Sequence, residues 1–399
     1  MDPQKLKDRL AAQIDALSAS LDDLALRIHA QPETAYEERF AAAGFAELLG
    51  ANGCAVVAPF GGLETAFSAE VGGTSGRGGG TGPVIAILAE YDALPGVGHG
   101  CGHNLIGTAA AGAFLGLAAV SGELHGTVRL YGTPAEERGA GKVALIEAGV
   151  FGDVDVAMMF HPADHDVADP LMLALSVLDI EFHGTAAHAA AAPSMGVNAL
   201  DGLLLGWTAM SALRQLVRVD ARIHGIITDG GQAANIIPEH AAARIIVRAA
   251  DPAYLAELRG RVLACFEGAA RATGCRLVHE WGETMDRVTT NAPLAAAFTA
   301  NAAAFGRAMG PRRPGETSGS TDMGNVSTAV PSIHPFLSIT AERVPWHSHA
   351  FAAAAREPAA LEAMHIAAKA LACTAVDVLT RPELLRAAKA AHAKRAAGG

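Results

Sequence analysis

Short apolar runs separated by stretches of helical periodicity restrict the possible folds more than any other feature of this sequence. Buried strands are predicted at residues 84–88, 127–131, 155–160 and 335–339, and each is followed by a loop rich in Gly, Pro, His or acidic residues. Continuously apolar strands that alternate with helices are typical of a parallel sheet covered on both faces. The sequence therefore predicts an α/β protein with a mainly parallel sheet.

The pattern changes near Ser176. Strand-like runs at residues 176–183, 221–228, 242–249 and 276–281 enclose two amphipathic helices, the second opened by Asp251 and Pro252 and ended by Gly274. The order βαββαβ is that of a ferredoxin-like α+β unit. We therefore expect one domain formed by residues 1–175 and 287–399, with a second domain inserted at residues 176–286.

Charge and hydropathy restrict the partners. The 30 Lys and Arg against 41 Asp and Glu give a net charge of −11, without a basic cluster, which argues against a nucleic acid or an anionic membrane as partner. The most apolar run, residues 109–120, is shorter than the roughly 18 residues that a membrane span needs. The charged opening MDPQKLKDRL lacks the apolar core of a signal peptide. We expect a cytoplasmic protein.

Cysteine and glycine usage exclude two further interpretations. Five cysteines never form a C-x-x-C pair, which argues against both a disulfide framework and a zinc ribbon. Seven of the eleven residues between Gly72 and Gly82 are glycine, but no GK[ST] follows, so a flexible loop tip is favoured over a phosphate-binding loop.

Metal-type residues follow the predicted strands. Ligand sites in open α/β sheets lie beyond the carboxyl ends of the strands, so residues at several strand ends are expected to meet. Each of them alone has a structural explanation, but together they favour a metal site. They are Glu90, Asp92, His99, Cys101, His103, Glu136, Glu137, His161, His347 and His349.

The chemistry of these residues indicates hydrolysis. Thiolate, imidazole and carboxylate ligands suit zinc, manganese or cobalt, and a thiolate or carboxylate that bridges two ions suggests a two-metal site. In the pair Glu136 and Glu137, one side chain could bind metal while its neighbour acts as general base.

These segments resemble the co-catalytic metallopeptidases of clan MH, metallopeptidase family twenty, which include aminoacylase and carboxypeptidase G. The likeness is greatest to the amidohydrolase branch, with its aminobenzoyl-glutamate, auxin-conjugate and β-alanyl dipeptide hydrolases. The matching segments are RIHAQPETAYEE, EYDALPGVGHGCGHN, GTPAEE, FHP, FHGTAAHAAAAPSMGVNALD, NIIPEHAAARIIVR, STDMGNVS and HSHAF.

The resemblance implies a role for each matching residue. Glu136 is the general base, Asp92 orients a ligand histidine, and Glu90 replaces a histidine ligand of other branches. Cys101 bridges two divalent ions, Zn²⁺, Mn²⁺ or Co²⁺. His347 is preferred to His349 because His-Ser-x-x-Phe is then intact, and the motif does not make His99 a ligand. The implied metal ligands are Cys101, His103, Glu137, His161 and His347.

By the same resemblance, the inserted domain is a lid that also forms a homodimer. His188, Asn235 and Arg248 would polarise the scissile carbonyl or hold the substrate carboxylate, although Arg244 and Arg248 could equally form only a solvated strand face. The predicted activity is metal-dependent hydrolysis of the amide bond of an N-acyl amino acid, a dipeptide or an aminobenzoyl-glutamate-like conjugate.

Two other classes of function remain open at this point. Cys101 could be the nucleophile of a thiol hydrolase with His103 as its base, or the chain could be a non-catalytic binding protein on the same fold. Sensitivity to chelators separates metal chemistry from thiol chemistry. Analysis of bound metal separates the metal hydrolase from a binding protein.

Overall fold

The computed structural model describes residues 2–72, 82–313 and 319–398. The loop tip predicted between Gly72 and Gly82 falls in residues 73–81, outside the described residues. Within the described part of the chain, the α-helices are α1 (Pro3–Ala16), α2 (Ser18–Ala30), α3 (Arg39–Ala51), α4 (His103–Ala118), α5 (Gly141–Glu147), α6 (Ala199–Leu213), α7 (Pro252–Thr273), α8 (Ala292–Ala304), α9 (Met323–Ala329), α10 (His349–Ala354), α11 (Pro358–Thr380) and α12 (Pro382–Gly398).

The strands are short in the first part of the chain and long in the middle. In chain order they are β1 (Val56–Val57), β2 (Phe67–Gly72), β3 (Val84–Ala89), β4 (Thr127–Gly132), β5 (Val156–Met158), β6 (His161–Ala163), β7 (Ala174–His183), β8 (Ala187–His188), β9 (Ala221–Asp229), β10 (Ile236–Ile237), β11 (His240–Ala249), β12 (Arg276–Met285), β13 (Ser332–Ile333) and β14 (Phe336–Ser338).

The chain divides into two compact units. Unit 1 comprises Met1–Pro170, Val288–Glu316 and Thr321–Gly399, and unit 2 comprises Leu171–Arg287 and Thr317–Ser320. The sequence pattern places the inserted domain at residues 176–286, so unit 2 starts five residues earlier than that prediction. The reason is local, because β7 already begins at Ala174 and the chain before it belongs to the same unit.

Unit 1 is built on a six-stranded sheet of order β1-β2-β4-β3-β5-β13. Strands β4, β3, β5 and β13 are parallel, while β1 and β2 add an antiparallel edge. The strand predicted at residues 335–339 is not part of this sheet: β14 pairs with β6 in a separate two-stranded ladder. Pro335, which follows β13 closely, has no N–H to donate, so the main ladder ends before it.

Two helices of unit 1 are buried on nearly all sides. Residues 103–117 of α4 are all buried, and Gly107 allows the close approach, because a Cβ there would lie 2.7 Å from the Glu90 carbonyl oxygen. Helix α11 is long and apolar enough to cross a membrane by length and composition, which the sequence reasoning on residues 109–120 missed. It packs against α4, α8 and α1, as a core helix does.

Unit 2 contains a four-stranded antiparallel sheet of order β12-β7-β11-β9. Helices α6 and α7 pack on one face of this sheet around buried apolar side chains such as Phe182, Ile245 and Phe266. Strand order and chain order together are those of the predicted βαββαβ ferredoxin-like unit. Along β7 the residues alternate between this core and an outer face, which carries Glu181 and His183.

Candidate active site

Three neighbouring parallel strands of unit 1 place the predicted site residues at one edge of the sheet. Strand β3 runs into Glu90 and Asp92, β4 runs into the loop of Glu136 and Glu137, and β5 is followed by His161. Because β3 lies between β4 and β5, the carboxyl ends of the three strands are adjacent. The loop after β3 leads to Cys101 and to His103, the first residue of α4.

The predicted ligand atoms converge. The Cys101 Sγ lies 3.8 Å from the His161 Nε2, and the His347 Nε2 lies 3.5 Å from a Glu137 oxygen. The His103 Nε2 is 4.0 Å from an oxygen of Glu136 and 4.0 Å from an oxygen of Glu137. We call these six residues the ligand cluster. Cys101 belongs both to a group with His103 and His161 and to a group with Glu137 and His347, each with atoms within 4.8 Å of one another.

Hydrogen bonds fix two histidines of the ligand cluster with a free nitrogen. The His103 Nδ1 donates to Asp92 Oδ1 over 3.0 Å, and the His161 Nδ1 donates to the Pro162 carbonyl over 2.7 Å. The Nε2 of each ring is therefore left as an acceptor, the arrangement in which imidazole binds metal. Burial, together with the charge of His103, lowers the pKa of His161 to about 3, so this ring is neutral at physiological pH.

Three buried polar atoms at the centre of the site have no hydrogen-bond partner. They are the Glu90 Oε2, the His103 Nε2 and the Glu137 Oε1. The first two lie 3.6 Å apart. Burying such atoms without a partner costs about 1–3 kcal/mol each. A divalent cation satisfies all three, and the thiol, imidazole and carboxylate groups around them are the donors that such a cation takes in proteins.

The loop of Glu136 and Glu137 is held in a strained conformation. Ala135 has a φ of 63°, in the left-handed region. Its N–H donates to the buried Glu38 over 2.9 Å, and the N–H of Glu137 donates to Asp92 Oδ2 over 2.9 Å. His347 also has a left-handed φ, 59°. Such backbone strain costs on the order of 1–3 kcal/mol per residue and is concentrated at functional sites.

Burial and like charges set the protonation of the acidic groups. Burial, followed by the charges of Glu90 and Glu137, raises the pKa of Glu136 well above its ordinary value. Burial and the charge of Glu137 also raise the pKa of the Cys101 thiol. A carboxyl group with a raised pKa can both take and return a proton near neutral pH, which is what general acid–base catalysis requires.

A buried ion-pair network beside the ligand cluster is absent from the sequence-based prediction. The Lys142 ammonium contacts Glu90 and lies 2.6 Å from Asp322 Oδ1, and all three side chains are fully buried. The backbone N–H of Lys142 also donates to Asp322 over 2.9 Å. Lysines near the start of a short helix are usually solvated, so no sequence signal identifies Lys142, whereas Asp322 lies in the family-like segment STDMGNVS.

Replacing Lys142 by Met is expected to destabilise the protein by about 3–5 kcal/mol, because it leaves Glu90 and Asp322 as uncompensated buried charges. Urea unfolding followed by circular dichroism measures the change. The matched control is Lys389→Met, which removes a half-exposed ion pair with Asp155 and is expected to cost less than about 1 kcal/mol. Equal effects of the two substitutions would contradict the role assigned to the network.

Three more histidines lie around the site. The His99 Nε2 lies 3.1 Å from the Ile28 carbonyl oxygen and its ring faces His29, so it packs outside the ligand cluster. His349 is the first residue of α10. His334 is missing from the sequence-based prediction, yet it is fully buried, its ring centroid is 5.4 Å from that of His161, and neither ring nitrogen has a partner.

The remaining predicted residues lie in unit 2. His188 is on β8, and the N–H of Ala189 donates to the Asn235 carbonyl over 3.0 Å, so His188 and Asn235 are neighbours. Arg248 is on β11, and its Nη1 donates to the Ser320 hydroxyl over 2.9 Å. Arg244, on the same strand, forms an exposed ion pair with Asp179.

Comparison with known proteins identifies the family. The model of peptidase family M20/M25/M40 matches residues 86–377. The Xaa-Arg dipeptidase of Mus musculus is 40% identical over 395 residues, which cover 95% of this chain and 90% of that protein. One of the two chains of the p-aminobenzoyl-glutamate hydrolase of Escherichia coli is 37% identical over 284 residues, which cover 65% of this chain and 57% of that protein. The chain belongs to peptidase family M20/M25/M40.

Membership of family M20 confirms the resemblance and the activity class predicted from the sequence: the chain is a hydrolase of amide bonds. A solved dinuclear metal-binding peptidase of family M20 from Bacillus subtilis aligns with a TM-score of 0.70 at 23% identity, covering 92% of this chain and 99% of that one. This similarity shows that the mixed α/β architecture is the fold of M20 peptidases.

Proposed function

We propose that this M20 chain hydrolyses the amide bond of a small dipeptide or N-acyl amino acid, with two divalent ions held by five side chains of the ligand cluster and Glu136 as general base. The observation that carries the proposal is the group of buried, unpartnered atoms of Glu90, His103 and Glu137. The five proposed ligands are Cys101, His103, Glu137, His161 and His347.

The protein residues then divide the work of hydrolysis. When bound, the divalent ions supply Lewis acidity, which lowers the pKa of water and polarises the scissile carbonyl. Glu136 takes a proton from the attacking water and returns it to the leaving amine nitrogen. Asp92 holds the ring of His103 in one orientation and also fixes the backbone of Glu137, so a single carboxylate positions two ligands.

The state of Cys101 favours metal chemistry over a thiol nucleophile. A catalytic cysteine has a lowered pKa, because the thiolate is the reactive form. Burial and the charge of Glu137 raise the pKa of Cys101 instead. A divalent cation in contact with the sulfur reverses this balance and takes the place of the proton.

The substrate class is best tested among dipeptides with a basic C-terminal residue, because the 40% identical mouse protein is an Xaa-Arg dipeptidase. Metal-loaded protein should be incubated with Xaa-Arg and Xaa-Lys dipeptides, aminobenzoyl-glutamate and N-acetylcysteine, and the products separated by liquid chromatography. We expect cleavage of the dipeptides to a free basic amino acid. Cleavage of none of these amides would contradict the proposal.

We further propose that Arg248 holds the carboxylate of the substrate and that His188 polarises its carbonyl. A guanidinium binds a carboxylate through two charge-assisted hydrogen bonds, which an ammonium cannot reproduce. Arg248→Lys is therefore expected to raise KM for the free acid and to remove a preference of about tenfold to 100-fold over the matching carboxamide. His188→Ala is expected to lower kcat for both substrates.

The control for these variants is Arg244→Lys, on the same strand, where the native guanidinium is already paired with Asp179 at the surface. This variant should keep the preference for the free acid. If the unaltered enzyme cleaves the carboxamide as well as the acid, Arg248 does not hold the substrate carboxylate.

We propose that unit 2 acts as a lid and forms a homodimer. Its edge strand β9 and its helix α6 expose apolar side chains: Leu204, Leu205, Ile226 and Ile227 are 43%, 45%, 64% and 40% exposed. An unpaired edge strand beside exposed apolar residues favours pairing with a second copy. Sedimentation equilibrium at micromolar concentration is expected to give twice the chain mass, and a monomer would contradict the dimer.

A cytoplasmic location, with no nucleic acid or membrane as partner, also remains a proposal. All five cysteines are free, as expected in a reducing compartment. The net charge of −11 disfavours polyanionic partners. The choice among Zn²⁺, Mn²⁺ and Co²⁺ is left to reconstitution, because the donor set accepts all three.

A further inference from the structure

A second cluster of metal-type side chains lies on the outer face of the sheet in unit 2. His183 ends β7, His240 begins β11, and the two residues are directly opposite in the antiparallel register. Glu181 precedes His183 by two residues on β7, so the three side chains share one face of the sheet. We call Glu181, His183 and His240 the β7–β11 cluster. It contains none of the residues proposed above for the hydrolytic reaction.

The geometry of the β7–β11 cluster is close to that of a metal site. One oxygen of Glu181 lies 3.0 Å from the His183 Nε2 and 3.5 Å from the His240 Nε2. The ring centroids of the two histidines are 5.1 Å apart. Ligand atoms around one zinc ion, each at about 2.0–2.1 Å, are separated by roughly 3.3–3.5 Å. Small rotations of three partly exposed side chains therefore suffice to bring the atoms to one ion.

A fourth residue prepares His240 for this role. The His240 Nδ1 donates to Asp229 Oδ2 over 2.6 Å, and the other oxygen of Asp229 accepts the N–H of Gly231 over 3.0 Å. The ring is thereby held with Nε2 directed at Glu181. A carboxylate behind the distal nitrogen is the arrangement that orients histidine ligands in metal proteins.

We propose that the β7–β11 cluster is a metal site of its own, which binds one Zn²⁺ or a similar borderline divalent ion through His183, His240 and Glu181. Two imidazoles and one carboxylate favour zinc, copper or nickel over magnesium or calcium. Three protein ligands leave an open coordination position. A surface cavity lined by His183, His240, Glu239 and Arg276 adjoins the cluster and gives water or a small anion access to that position.

This site is independent of the hydrolytic one, so its test is made on zinc-loaded holoenzyme from which excess metal has been removed. Isothermal titration with further Zn²⁺ is expected to show one additional binding event per chain. The double variant H183Q/H240Q should lose that event while keeping its circular dichroism spectrum and its peptidase activity. Asp229→Asn should keep the stoichiometry but weaken the affinity about 10–100-fold.

The matched control is His279→Ala, which removes an exposed histidine of β12, on the same sheet but outside the cluster. Its isotherm should equal that of the wild type. The proposal is overturned if the wild-type holoenzyme shows no additional binding event, or if H183Q/H240Q binds zinc as the wild type does. Either result leaves the proposed hydrolytic function unaffected, because that function is judged by activity alone.

Discussion

Dialysis against a strong chelator is expected to abolish amide hydrolysis, and Zn²⁺, Mn²⁺ or Co²⁺ should restore it. The expectation follows from the ligand cluster, whose central atoms have no protein hydrogen-bond partner and whose donors are a thiol, imidazoles and carboxylates. Turnover of an Xaa-Arg dipeptide before dialysis, after dialysis and after reconstitution measures the effect. Full activity in metal-free protein would contradict the assignment.

The control for this experiment is Cys101→Ser, which removes the proposed bridging sulfur with little change in volume. Cys101 is buried in a loop of unit 1, and its sulfur is 3.8 Å from the His161 ring. The variant should fold as the wild type does but retain less metal after gel filtration. Unchanged metal retention would show that Cys101 is not a ligand.

Glu136→Gln is expected to reduce kcat by about 10²–10⁴-fold while metal content stays unchanged, because the substitution keeps the side-chain size and removes only the base. Glu137→Gln should lose metal as well as activity, since an oxygen of Glu137 lies 3.5 Å from His347 and another faces His103. Steady-state kinetics combined with metal analysis of both proteins distinguishes them. Equal metal loss in the two variants would mean that the roles of the pair are wrongly assigned.

The strand-end rule is why much of the site could be predicted from the sequence. Glu136, Glu137 and His161 follow strands that are consecutive along the chain and neighbours in the sheet, so their convergence needs only a parallel topology. Cys101 and His103 follow the same logic through the loop after β3. The ferredoxin-like order of unit 2 was equally accessible, because each of its strands is long and is separated from the next by a clear helix or turn.

The parts that escaped prediction depend on packing rather than on local pattern. Lys142 lies in a short helix, and only tertiary structure buries it between Glu90 and Asp322. His334 becomes a neighbour of His161 because the chain crosses from β13 to β14 around Pro335. The β7–β11 cluster requires the register that sets His240 opposite His183, and neither strand indicates this register by itself.

The central claim is that two divalent ions lie within the ligand cluster. Anomalous diffraction from crystals of the manganese- or zinc-reconstituted enzyme, collected at the absorption edge of the metal, locates bound ions without reference to activity. The account predicts two anomalous peaks in unit 1, both enclosed by Cys101, His103, Glu137, His161 and His347. A single peak there, or none, in crystals of active reconstituted enzyme would contradict it.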